Sequence, residues 1–247
     1  MKAKRLVAVL TAVSLMAGLC GMAEPNADQK IKLEQNSTST PALGGKLLYD
    51  GYTLQWADDF NGSELNRGDW NIELHAPGWV NNELQAYVDS PENIYLENGS
   101  LVIKPIEQKN PDGTVSYTSG RVNTQNKHDF KYGIFEARIK VPEGQGFLPA
   151  FWMMPTNENL YGQWPRCGEI DIMEVLGNDT DKSYGTIHYG NPHSESQGSY
   201  QLTAGSFSEE YHNFAVEWEP GRISWYVDGC LIHTCLLYTS DAADDKA

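Results

Sequence analysis

Positive charge is scarce in this 247-residue chain: 18 Lys and Arg stand against 33 Asp and Glu, a formal net charge of −15. A surface of that sign repels nucleic acid, anionic lipid and polyanionic substrates, so a neutral partner is the expectation. Cysteine is also sparse, with four residues at 20, 167, 230 and 235, too few for a disulfide framework in a chain this long. A single bridge stays open. No apolar run approaches the about 20 residues that a membrane helix takes. No stretch of ten or more residues carries the 3.6-residue period of an amphipathic helix. What the chain does have is 40% hydrophobic and 21% charged residues, which excludes a disordered or collagenous protein. Its 7 Trp, 13 Tyr and 7 Phe can fill a core or form platforms for flat apolar ligand faces, and composition does not separate those uses.

The first residues read as an address. Lys2, Lys4 and Arg5 precede an apolar stretch over 6–19, and Gly21 to Ala23 supply small residues at cleavage positions, so 1–23 is expected to be a secretory signal peptide and the protein extracellular. Cys20 keeps a lipoprotein anchor open as the alternative, although Leu19 before it is larger than the residue such a signal prefers. Processing would remove three cations and no acid, and leave no membrane span. Residues 24–46 are rich in Asn, Ser, Thr, Pro and Gly without apolar periodicity, which reads as a flexible linker.

From residue 47 onward the period is two. Runs at 52–56, 100–106, 133–141, 147–153, 168–175, 212–218 and 222–227 are separated by turn chemistry: Asn61-Gly62, Asn98-Gly99, Pro111-Asp112-Gly113, Pro142-Glu143-Gly144, Pro220-Gly221 and Asp228-Gly229. Many short strands at this spacing imply an all-β sandwich or barrel. Two packed antiparallel sheets would bury one face of each, and the other face of a curved sheet can form an open cleft.

The chemistry concentrates in WPRCGEIDIMEV at 164–175. On a strand, Glu169 and Asp171 share one face while Ile170 and Ile172 pack behind. Strict alternation would then bury Glu174, where an unpaired carboxylate is costly. One extra residue, a bulge at Ile172 or Met173, returns Glu174 to the acid face. A helix offers no such gathering, because residues five apart lie about 140° apart around its axis. Three neighbouring acids suit retaining glycoside hydrolysis, which needs two carboxyls about 5–5.5 Å apart, one ionised and one protonated. The Glu169 and Glu174 backbones would stand about 13 Å apart, a gap that two long side chains leaning together can close. Asp171 between them would hydrogen-bond the nucleophile, and mutual repulsion would hold a proton on at least one acid. A solvated acidic strand face or a calcium cluster is the competing reading.

This run resembles the active-site signature of glycoside hydrolase family 16 in its laminarinase-like form, with the extra Met. Similar segments follow in order: WADDFNG at 56–62, WVNNELQ at 79–85, YTSGR at 117–121, YGIFEAR at 132–138, PAFWMMP at 149–155, GTIHY at 185–189 and WYVDG at 225–229. The resemblance covers about 47–234. It implies a jelly-roll β-sandwich of two antiparallel sheets with a concave substrate cleft, and hydrolysis of internal β-1,3 or β-1,3-1,4 glucan linkages with retention. By that resemblance Glu169 is the nucleophile, Asp171 its assistant and Glu174 the general acid/base.

Further positions carry over as a sugar-binding set. Trp164 and Trp152 would stack on pyranose faces, Asn82, Glu83 and Arg121 would bond hydroxyls, and His188 would contact the reacting sugar. Each has a structural alternative: Trp152 as core, Glu83 and Arg121 as a pair, His188 as scaffold. His188 and His193, five apart with no helical Glu between them, do not form a zinc motif by spacing. The resemblance also suggests a structural calcium near 59–62, where Asp59 stands in place of the usual Glu. No cofactor is expected for the reaction, and the protein is expected to act as a monomer on a β-glucan polysaccharide. Residues 235–247 have no counterpart in the pattern and read as a tail on a domain truncated at its C-terminal end. A glucan-binding module without catalysis and an inactive fragment therefore stay open.

Overall fold

The structure, a computed structural model, describes residues 6–10, 49 and 51–236. The cleavage region and Cys20, the linker 24–46 and most of the tail lie outside these residues. Two compact units emerge, one from residues 1–57 with 130–247 and the other from 58–129.

The strands in chain order begin with β1 (Leu6–Leu10) and β2 (Thr53–Asp58). Seven short strands follow: β3 (Asn71–Ile72), β4 (Gln85–Tyr87), β5 (Ile94–Glu97), β6 (Ser100–Ile103), β7 (Ile106–Lys109), β8 (Val115–Ser119) and β9 (Val122–Asn123). Next come β10 (Gly133–Ile139), β11 (Ala150–Met153), a four-residue helix α1 (Glu158–Tyr161), β12 (Glu169–Val175), β13 (Lys182–Tyr189) and β14 (Ser194–Gln201). The last three are β15 (His212–Glu219), β16 (Arg222–Val227) and β17 (Cys230–Leu236).

In the first unit, β17-β16-β15-β10-β1-β2 form a six-stranded sheet and β11-β12-β13-β14 a four-stranded one. The alternation read in the sequence becomes the packing. Phe135 on β10, Phe214 and Val216 on β15, and Ile223, Trp225 and Val227 on β16 meet Ile170, Ile172, Met173 and Val175 on β12 and Ile187 on β13 in one buried cluster. That shared core is what makes two sheets a sandwich. Two pairings depart from the antiparallel expectation: β1 runs parallel to β10 and β4 runs parallel to β8. In β1, residues expected to lie within a cleavable leader take a strand place, as an apolar run of this kind can when an edge is available to pair with.

One close approach sets the sheet spacing. Gly185 on β13 and Gly198 on β14 are cross-strand partners, and Trp225 and His233 are partners on β16 and β17. A Cβ at Gly185 would meet Trp225 Cδ1 at 2.5 Å, and one at Gly198 would meet His233 Cβ at 2.3 Å. The missing side chains are thus the space the two rings occupy.

The second unit holds the pairs β3-β9 and β5-β6 and the three-stranded sheet β4-β8-β7. Its hairpins use the expected turn residues: Asn98 and Gly99 both have positive φ between β5 and β6, as does Gly113 between β7 and β8. Asp58 is bound into this scaffold, accepting from Phe60 N and from Trp70 Nε1, each at 2.8 Å.

Candidate active site

The expectation of a bulged strand is met by the register of β12. Against β13, Glu169 faces His188 and Asp171 faces Thr186, but Glu174 faces Tyr184, so three steps on β12 oppose two on its neighbour. Against β11, Phe151 pairs with Met173 and Trp152 with Asp171, the same one-residue excess. Ile172 and Met173 are consecutive, both 1% exposed and both in the same core cluster, which strict alternation of side chains between faces does not allow. The bulge lets both side chains enter the core and returns Glu174 to the face carrying Glu169 and Asp171.

A bulge leaves backbone groups without ladder partners, and the opposite sheet answers one of them. Trp225, itself fully buried, donates Nε1–H to the Asp171 carbonyl oxygen at 2.8 Å. The two sheets are therefore tied at β12.

The three acids form one electrostatic group. Burial raises Asp171 most, the charges of Glu169 and Glu174 add to it, and a side-chain hydrogen bond with Glu169 adds further, pushing Asp171 up to about 8. Glu174 is also raised, first by burial and then by the charges of Glu169 and Glu195. Asp171 is thereby biased toward holding a proton near neutral pH, and Glu174 holds its proton more tightly than a free carboxyl. Trp164 donates its indole N–H to Glu169 Oε2 at 2.5 Å. An indole can only donate, so this carboxylate oxygen must present a lone pair to it. Trp164 remains 49% exposed and can present a ring face outward.

Around this group, Trp152 on β11 is the register partner of Asp171 and shares its face, which places it with the acids and not in the core behind them. His188 on β13 is the partner of Glu169, and its Nε2 lies 3.2 Å from Asp171 Oδ2. Its Nδ1 lies 2.9 Å from Nε2 of His193. Sequence spacing gave no sign of that second contact, because a reversing turn and not a helix brings the two rings together.

The remaining expected residues belong to the second unit. Arg121 Nε donates to Glu73 Oε2 at 2.8 Å, and its guanidinium lies 5.1 Å from the Trp79 ring centroid and 5.7 Å from that of Tyr87. Glu73 also accepts from Asn123 Nδ2 and contacts His75, and these partners together hold its carboxyl below the usual range against the opposing effect of burial. Glu83 Oε2 accepts from the Tyr87 hydroxyl at 3.0 Å. Asn82 sits in a tight turn with Asn81, both at positive φ. His75 stacks on Trp79 at 3.5 Å, leaving that indole 47% exposed as a braced aromatic plate. Glu73, His75, Trp79 and Tyr87 were not singled out from the sequence. WVNNELQ at 79–85 was the available signal, since an exposed Trp beside a turn is what a sugar platform needs.

For calcium, the segment 59–62 offers two oxygens converging beside Gly99, Asn61 Oδ1 and the Asp59 carbonyl, 3.3 and 4.0 Å from where a Cβ would stand. Calcium takes about six to eight oxygens, so this pair is an incomplete set and no step is routed through it.

Comparison with known proteins agrees with this geometry. The family model for glycosyl hydrolases family 16 matches residues 78–244. A glucan endo-1,3-beta-glucosidase A1 of Niallia circulans is 36% identical over 222 residues, covering 83% of this chain and 32% of its own length. A glucan endo-1,3-beta-glucosidase of Cryptopygus antarcticus is 39% identical over 194 residues, covering 75% of this chain and 70% of its own. The chain thus spans about a third of one such relative and about two thirds of the other. Among solved structures, the laminarinase catalytic domain from Thermotoga maritima is 41% identical with a TM-score of 0.63, covering 72% of this chain and 74% of that one.

Proposed function

Because the chain belongs to the glycosyl hydrolases of family 16, we propose that it cleaves internal β-1,3 or β-1,3-1,4 linkages of a neutral β-glucan with retention of configuration. The single observation that carries this reading is the one-residue bulge between Asp171 and Glu174, which gathers three acids on one strand face. Glu169 attacks the anomeric carbon and forms a glycosyl ester. Glu174, whose hold on its proton is strengthened by burial and by the charge of Glu169, gives that proton to the departing glycosidic oxygen. It then takes a proton from water, which attacks the same carbon, releases the sugar and restores the Glu169 carboxylate.

Asp171 positions the nucleophile through their shared hydrogen bond. Trp164 and Trp152 offer ring faces for the sugars flanking the cleaved bond, and His188 approaches the reacting sugar from the β13 side. Asn82, Glu83 and Arg121 would bond sugar hydroxyls. The strongly acidic composition favours an uncharged polymer. Export through the 1–23 leader, or anchoring through Cys20, belongs to the same proposal, as does action as a monomer. A calcium near 59–62 would be structural, and the two-carboxylate step itself calls for no cofactor.

The test is reducing-sugar release from laminarin and lichenan, with proton NMR of the first-formed anomer. Wild-type protein is expected to release β-anomer first, and Glu169→Gln is expected to release none. A Glu169→Ala protein supplied with azide is expected to give a glycosyl azide. Binding of laminarin without cleavage by wild-type protein, or undiminished cleavage by Glu169→Gln, overturns the assignment.

A further inference from the structure

At the end of the β13-β14 hairpin, three side chains converge outside the trio of acids. His188 and Glu195 are direct cross-strand partners, and His193 lies in the turn between them, immediately before β14. His188 Nδ1 is 2.9 Å from His193 Nε2 and 3.4 Å from Glu195 Oε2, and His193 Nε2 is 4.0 Å from the same oxygen. Zinc bonds of about 2.0–2.1 Å in a tetrahedron place neighbouring donor atoms about 3.3 Å apart. The observed triangle brackets that spacing. The ring centroids are 5.2 Å apart while the nitrogens are 2.9 Å apart, so the imidazoles meet edge to edge with nitrogens facing. His193 and Glu195 are exposed and free to make the small rotation that would seat an ion.

The geometry points to a site for a borderline divalent cation, Zn²⁺ as the type case, held by His188 Nδ1, His193 Nε2 and a Glu195 oxygen, with one position left open. Two imidazoles disfavour calcium or magnesium, which prefer all-oxygen sets. The group behind the ligand is also in place. His188 Nε2 lies 3.2 Å from Asp171 Oδ2, the carboxylate–histidine–metal relay that fixes tautomer and ring orientation in metal sites. Without metal, the proton on His188 can sit on either nitrogen, because Nδ1 can share a hydrogen bond with His193. Metal on Nδ1 confines the proton to Nε2, where it is donated to Asp171, the carboxyl that otherwise shares a hydrogen bond with Glu169. The ion also fixes His193, whose ring lies 5.1 Å from that of Trp164. Occupation of the site therefore inhibits turnover. This consequence rests on the glycosidase reading above, whereas the binding itself does not.

The experiment titrates Zn²⁺ into the full chain against a chromophoric chelator and measures laminarin hydrolysis at the same free zinc concentrations. One ion per chain is expected, with at least tenfold weaker binding in His193→Ala and in Glu195→Gln. Both substitutions fall on exposed positions, and thermal melts matching wild type establish that each variant is folded. Hydrolysis is expected to fall with the same midpoint as binding, to recover on chelation and to lose its zinc sensitivity in His193→Ala. Absence of stoichiometric binding, or binding unchanged in both variants, overturns the site. Binding with full activity retained overturns the inhibitory role alone. A protein inactive toward every glucan but still losing zinc in the variants would sink the glycosidase reading and leave the site standing.

Discussion

At the scale of single residues, the acids of β12 are held in a state that costs stability. Asp171 would ionise near 3.8 in the unfolded chain, but burial and the charges of Glu169 and Glu174 push it up to about 8 in the fold. The unfolded chain therefore sheds this proton first as pH rises, and the folded state loses stability progressively from about pH 4 to pH 8. Asp171→Asn keeps the shape and removes the titration. Its melting temperature should equal that of wild type near pH 4 and exceed it increasingly toward pH 8. Glucan turnover should meanwhile fall about a hundredfold, because Glu169 loses its positioning partner. Differential scanning calorimetry across that range, paired with kcat/KM on laminarin, checks both halves. A melting difference that does not grow with pH would place the charge strain elsewhere. The identities of these acids were legible in the sequence because EIDIME violates alternation at one position only. Their partners were not. Trp225 lies 54 residues from Asp171 in the chain, and nothing local marks an indole as the donor to its carbonyl. Likewise, Arg121 donates to Glu73, a carboxylate 48 residues away in the chain.

At the scale of elements, one surplus residue decides which face of β12 carries Glu174. Inserting one Ala between Met173 and Glu174 adds a step beyond the bulge, which turns Glu174 toward the core and leaves Glu169 and Asp171 where they are. Activity should drop roughly a thousandfold or more although every acid is retained. Stability should fall as well, since a carboxylate is driven inward without a partner. An active insertion variant would show that the facing of Glu174 is dispensable. Strands with strong apolar alternation were readable in advance, as 133–141, 212–218 and 222–227 show against β10, β15 and β16. β14 was not, because SESQGSYQ has almost no hydrophobic side chains and pairs through its backbone with β13. The His188–His193–Glu195 cluster was hidden for the same reason, being a product of that pairing.

At the scale of the molecule, two features govern behaviour in solution. The first is a carboxyl inside the six-stranded sheet. Glu136 on β10 accepts from the Tyr49 hydroxyl through Oε2, while its Oε1 has no partner. Burial outweighs the Tyr49 bond and pushes it up to about 7. Since an unfolded Glu ionises near 4.5, stability is lost between about pH 4.5 and 7. Glu136→Gln should flatten that decline, as read by urea midpoints at pH 4.5, 6 and 8. An unchanged slope would contradict it. The second is the net charge of −15. Hydrolysis of a neutral glucan should change little between about 0.05 and 0.5 M salt, because no long-range attraction to the polymer exists to be screened. A sulfated galactan should be a poor substrate under the same conditions. A steep salt dependence on laminarin would instead mean that local cationic groups dominate recognition.

The indole at 225 lies at the join between these scales, packed over the bare Gly185 and bonded to the backbone of the strand that carries the acids. Its N–H proton is a spectroscopic probe already installed. That single resonance should shift when a sugar ester forms on Glu169 or when the protonation of Asp171 changes, reporting from inside the protein on chemistry performed at its surface.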